Sequence, residues 1–169
     1  VRYFLSAFSS SLEVEVLPPL SDNPYEEILP SLDAVSSRMK FFYSLRREIP
    51  SLVLTNLPGL LKPFPSPENL RDFFLELMPG MSFGRERLLQ TLAQYGYERE
   101  DLVSFPGEYA WRGGIIDVYS PWDRFPCRVE LSGDEIASLR EFDPSTQRSS
   151  ARMPRLVVPS LREFPGSAD

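Results

Sequence analysis

Arg112, Arg128 and Glu130 stand in stretches whose alternation turns them toward one face of a sheet, and Arg99 stands at the mouth of the same series of strands. In Cys127-Arg-Val-Glu-Leu131 the period of two buries Val129 and Leu131, leaving Arg128 and Glu130 together on the opposite face. In Glu108–Tyr119 strict alternation buries Ile116 and Val118, and would bury Arg112 with them. A bulge at Gly113-Gly114 shifts the phase by one and returns Arg112 to the outer face beside Asp117 and Tyr119, where Arg99 is expected to join it. A guanidinium is a planar fork of donors that matches a carboxylate, so an arginine-bearing sheet face suits docking to another protein. The plainer alternative is a solvated face whose cross-strand ion pairs contribute little.

Other chemistry is thinly supplied. The chain of 169 residues contains no His, which removes Ser-His-Asp and Cys-His catalysis, His-ligated metals and imidazole switching. Its one cysteine, Cys127, can form neither an internal disulfide nor a cysteine-based zinc site. Neither Lys40 nor Lys62 follows a glycine, so there is no phosphate-cradling Gly-x-x-x-x-Gly-Lys-Ser/Thr loop. Asp117, Glu130, Asp134 and Glu135 raise the idea of a carboxylate metal nuclease, but such sites usually add a lysine, and none follows Lys62. The net charge of −6 argues against a surface built for duplex DNA. No segment approaches the apolar length of a membrane span, and the opening residues make a poor signal peptide. A reducing, cytoplasmic setting is expected, and the lack of an initiator Met hints at a piece of a longer chain.

The elements that must position these residues read as mixed α+β. Residues 1–8 look like the tail of a helix, Glu13–Leu17 like a strand, Ser31–Arg47 like a helix capped by Ser31 or Asp33, and Ser51–Thr55 like a second strand. A partial, motor-like α/β half-domain is expected there. Lys62–Pro67 reads as a linker, followed by helical patterns at 67–78 and 84–95, the latter carrying Leu88, Leu89, Leu92 and Tyr95 on one side. Strands follow at 101–104, 108–112, 115–119, 126–131 and 136–142, an antiparallel sheet packed on helices.

Four stretches from this region, in order, are Gly96-Tyr-Glu-Arg-Glu-Asp-Leu-Val103, Pro106-Gly-Glu-Tyr-Ala-Trp-Arg-Gly-Gly-Ile-Ile-Asp-Val118, Arg128-Val-Glu-Leu-Ser-Gly-Asp-Glu-Ile136 and Phe142-Asp-Pro-Ser-Thr-Gln-Arg148. Together they closely resemble the UvrB-homology module of bacterial transcription-repair coupling factors, the Mfd family. Leu17-Pro-Pro, Pro24-Tyr-Glu and Ser36-Ser-Arg38 extend the resemblance more loosely over nearly the whole chain. UvrB itself is a close relative. It carries a tyrosine-rich hairpin insertion where this chain has only the short Ser21–Glu27 loop, and often an arginine where this chain has Ala110.

The resemblance implies three pieces: residues 1–60 as the second half of a degenerate motor-derived domain, 61–148 as a domain that docks UvrA, and 149–169 as the start of a segment returning to the first domain. It places the UvrA-contacting charges on Arg99, Arg112, Arg128 and Glu130. The implied role is recruitment of UvrA to stalled transcription complexes, with RNA polymerase and DNA engaged through other domains of the full-length protein. For this chain it implies no catalysis, no cofactor and a monomer. A UvrB fragment would instead be revealed by DNA binding, and a nuclease by metal-dependent cleavage.

Overall fold

Helix formation in the first part of the chain follows from Ser31, whose Oγ accepts a hydrogen bond from the Ala34 backbone N–H at 3.2 Å and so satisfies one of the free donors of the first turn. The computed structural model describes residues 13–18, 31–45, 51–61, 64–66 and 68–162. They belong to two compact units, 1–70 and 71–169. The expected helix tail at 1–8 and the loop leading to Pro30 lie outside the described residues. In the first unit, β1 (Glu13–Leu17), α1 (Leu32–Ser44) and β2 (Ser51–Thr55) form a βαβ arrangement whose strands pair in parallel. A short helix, α2 (Leu57–Leu61), follows. Helix α1 buries Val35, Met39, Phe41 and Phe42, as the three-and-four spacing requires, together with Arg38, whose Nη1 donates to the Pro18 carbonyl at 2.8 Å.

The second unit begins within a 3-10 turn at Asn69–Phe73 and runs through β3 (Phe74–Leu77), α3 (Arg85–Gln94), β4 (Glu98–Arg99), β5 (Glu108–Arg112), β6 (Ile115–Val118), β7 (Cys127–Ser132), β8 (Glu135–Phe142), β9 (Ser149–Arg152) and β10 (Leu156–Pro159). Strands β4 to β9 make a six-stranded sheet in sequence order, while β3 and β10 form a separate antiparallel ribbon. One core joins the two sheets and α3: Leu77, Leu88, Leu92, Ile116, Val129, Ile136, Leu139, Leu156 and Val158 are buried against one another. The opposite face of the large sheet has only a small apolar cluster of Val103, Ala110 and Phe142, with Tyr119 against it. Helix α3 ends at a Schellman-type turn in which Gly96 adopts φ 86° and the Tyr97 N–H returns to the Leu92 carbonyl at 3.0 Å. No helix among the described residues is long and apolar enough to cross a membrane.

Four expectations need correction. Residues 68–78 do not form an α-helix. Phe74–Leu77 pairs residue by residue with Leu156–Pro159, so a partner some eighty positions away overrides the local pattern. The first strand of the large sheet is at 98–99 and not 101–104, because Glu108 caps the intervening loop by accepting from the Ser104 and Phe105 backbone N–H groups at 2.7 and 2.9 Å. Residues 149–162 do not leave for the first unit. Strand β9 pairs with β8, β10 pairs with β3, and the Leu161 N–H donates to the Tyr95 carbonyl at 2.7 Å. The second compact unit spans 71–169, so it starts later than the expected 61–148 domain and continues past 148.

The last correction concerns Gly113-Gly114. Arg112 pairs with Ile115, so the two glycines are the loop of a hairpin, with φ 60° at Gly113, and not a bulge within a strand. Because residues flanking a two-residue loop share a face, the hairpin has the same consequence for Arg112 that a bulge would have had. A register shift does occur nearby: Glu130 faces Ser138 but Leu131 faces Ile136, which leaves Ala137 as the extra residue of β8.

Candidate docking face

The strand register sorts the candidate residues into two rows across the sheet. One row reads Ala110, Asp117, Arg128, Arg140 on β5 to β8, and the other reads Arg112, Ile115, Glu130, Ser138. Adjacent strands lie about 4.8 Å apart, so neighbours in each row can touch. Arg112, Arg128 and Glu130 thus share the outer face, as alternation requires.

Arg128 is nevertheless not a free group. Its Nε and Nη2 donate to the two carboxylate oxygens of Asp117, each at 2.8 Å, a bidentate fork. Its Nη1 donates to the Gln147 carbonyl at 3.2 Å and to Ser149 Oγ at 3.3 Å, and its Cζ lies 4.6 Å from the centre of the Phe142 ring. The two side chains are only 15% and 3% exposed. The hydrogen bonds it donates to Asp117 push the guanidinium's pKa further up, against the opposing effect of burial. Arg128 therefore ties β6, β7 and the chain entering β9 together. The expectation that it stands in solvent is overturned, because the residue directly opposite on β6 is a carboxylate.

Arg112 is the contrasting case. It is exposed at the end of β5, and its side chain makes no hydrogen bond or ion pair with any described residue. Glu130 is half-buried and accepts from Ser138 Oγ at 2.6 Å, leaving acceptor capacity open. Ile115, between them in the row, is 39% exposed.

Arg99 does not join this face. It pairs in parallel with Tyr109, whose ring belongs to the main core, and its guanidinium lies 4.7 Å from the centre of the Trp111 ring on that same side of β5. Alternation within β5 could not reveal this, since Arg99 enters the sheet on a parallel two-residue strand. Trp111 itself went unnoticed in the sequence. Its parity assigns it to the core, yet it is 37% exposed because β4 ends at Arg99, opposite Tyr109, and runs no further along β5.

The acidic residues do not converge. Asp117 is held by Arg128, while Asp134 and Glu135 lie at the β7–β8 turn. Among the described residues no group of three or more His, Cys, Asp or Glu is placed to hold a metal ion. Cys127, on the core side of β7, is buried, and desolvation pushes its thiol up to about 12. A cleft of about 390 Å³ between the 3-10 turn and α3 is lined by Arg71, Asp72, Phe83, Arg87 and Tyr95, and shares no residue with either row.

The sequence of the UvrB interaction domain family matches residues 75–164, nearly the whole of the second unit. Among curated proteins, the transcription-repair-coupling factor of Myxococcus xanthus is 32% identical over 167 residues, covering 96% of this chain and 14% of that protein. That of Staphylococcus haemolyticus is 33% identical over 147 residues, 86% of this chain and 12% of the relative. That of Mycobacterium bovis is 30% identical over 158 residues, 89% and 12% respectively. The chain spans 12–14% of the length of these relatives.

Proposed function

The chain belongs to the UvrB interaction domain family, and from that premise we propose that it is a non-catalytic docking module of a transcription-repair coupling factor, with UvrA as its partner. The observation that carries this reading is the guanidinium of Arg112, exposed and without an ion pair among the described residues, at the end of a hairpin whose second strand the Arg128–Asp117 pair ties to β7. The strand that carries it is already formed, so an arriving carboxylate need order only the side chain and not the backbone. Glu130, with a free acceptor, supplies the complementary charge in the same row, and Arg99 supplies a second guanidinium on the other side of β5. Arg128 acts at one remove, by fixing the strands.

In the full-length protein the module would bring UvrA to stalled transcription complexes in the bacterial cytoplasm, with RNA polymerase and DNA bound by other domains. The fragment itself would be monomeric and would need no cofactor. Calorimetric titration of the fragment with UvrA tests the proposal. Binding is expected for the native chain and a loss of about thirtyfold for Arg112→Ala, the effect of truncating one member of a desolvated interface ion pair. Unchanged affinity in an Arg99→Ala/Arg112→Ala double variant would remove the docking face from this sheet.

A further inference from the structure

The end of the β5–β6 hairpin carries contact groups on both sides, separated only by a turn without side chains. On the outer side stand Arg112 and Ile115. On the core side stands Trp111, 37% exposed, with the Arg99 guanidinium 4.7 Å and the Arg85 guanidinium 6.0 Å from its ring centre. Between the two sides lie Gly113 and Gly114, both exposed, and a Cβ at Gly113 would meet nothing within 4 Å.

We infer that Trp111 is an anchor of the docking surface and the positioning residue for Arg99, so that the partner clasps the hairpin end from both faces instead of lying flat on the outer one. This rests on the docking reading given above. Three features support it. A tryptophan whose register assigns it to the core should be covered, but the short β4 leaves its ring open where the strand has no further neighbour. Arginine held over that ring is pre-organised by attraction to the π face, and the attraction strengthens when a partner removes water. Trp and Arg are also among the residue types most enriched where binding energy concentrates.

The charges specify the occupant. Among the described residues Arg99 and Arg112 make no ion pair, and Arg85 alone has one, with Glu86 at 2.6 Å. A matching protein surface therefore presents carboxylates to each side of the hairpin and an apolar contact to Trp111 and Ile115. The low glycine turn lets such a surface pass over the tip without a steric obstacle.

The test is UvrA binding by calorimetry with native chain, Trp111→Ala, Trp111→Tyr and Arg112→Ala. Trp111→Ala is expected to weaken binding about tenfold or more, and Trp111→Tyr, which keeps an aromatic face for Arg99, to recover most of it. A second measurement does not depend on truncating the ring: the native chain labelled with 5-fluorotryptophan, its two tryptophan resonances assigned with Trp122→Phe. Saturating UvrA should shift or broaden the Trp111 fluorine signal more than that of Trp122. If Trp111→Ala binds normally and the Trp111 signal is unmoved while Arg112→Ala is impaired, the clasp is wrong and flat docking on the outer face stands. If no variant binds differently from the native chain, the docking reading falls as well.

Discussion

Arg112 and Arg128 lie on the same face of adjacent rows, yet they are opposite kinds of arginine. Arg128 faces Asp117 across the β6–β7 ladder, and all three of its nitrogens are engaged. Arg112 faces Ile115 across the hairpin and touches no described carboxylate. One cross-strand neighbour makes the difference. Where a carboxylate stands opposite, the guanidinium is spent on holding strands together; where an aliphatic group stands opposite, it remains available to a partner. An arginine-rich face thus holds both engaged guanidinium groups and ones open to a partner, and alternation alone cannot separate the two.

The sharpest way to break this comparison is Arg128→Ala. Removing one partner of a buried ion pair strands the other, so stability should fall by about 3–5 kcal/mol in denaturant unfolding. Replacing both members, as in Asp117→Leu/Arg128→Met, should restore part of that loss, because the cost lies in the unpaired carboxylate. If Arg128→Ala melts like the native chain and only UvrA binding suffers, Arg128 is a contact residue and the contrast with Arg112 disappears.

Alkaline unfolding probes the core beneath the anchored row. Burial pushes Cys127 and Tyr95 each up to about 12, with Asp72 adding to the effect at Tyr95. The unfolded chain releases these protons first as pH rises. Their contribution to stability is therefore complete below about pH 8.5 and is lost progressively toward pH 12, a fall of about 4–5 kcal/mol by pH 11. Cys127→Ala should flatten the lower part of that slope. An unchanged slope would mean that the thiol is not shielded as the packing of β7 implies.

Arg112→Ala sharpens the other side of the comparison. Its expected cost in UvrA affinity, about thirtyfold, corresponds to about 2 kcal/mol, while stability should move by no more than about 0.5 kcal/mol. Raised salt should weaken binding of the native chain more than that of the variant.

The hairpin loop gives the smallest effects and separates its two glycines. A Cβ at Gly114 would sit 3.0 Å from the Leu131 carbonyl oxygen, while the Leu131 N–H donates to the Gly114 carbonyl at 2.8 Å. Gly114→Val must therefore push β7 away, at about 1–2 kcal/mol. Gly113 holds the left-handed φ in open space, so Gly113→Asn should change stability by no more than about 0.5 kcal/mol. Equal effects at the two positions in thermal melts would contradict this loop geometry.

Alternation and spacing are local properties, and what depends on them was legible in the sequence. Cys127–Leu131 could be divided into a buried and an outer set, α3 could be read from Leu88, Leu92 and Tyr95, Ser31 could be named as a cap, and the absence of His and of a phosphate loop removed whole classes of chemistry. The ordered motifs between Gly96 and Arg148 carried the family. What the sequence could not decide depended in each case on a residue distant along the chain. Phe74–Leu77 became a strand because Leu156–Pro159 lies beside it. Arg99 went to the Trp111 side because β4 registers it opposite Tyr109. Arg128 became structural because Asp117, Gln147 and Ser149 converge on its guanidinium from β6 and the approach to β9. A period of two tells which way a side chain points; only the folded sheet determines what it meets there, because cross-strand neighbours are set by register and topology and not by sequence distance.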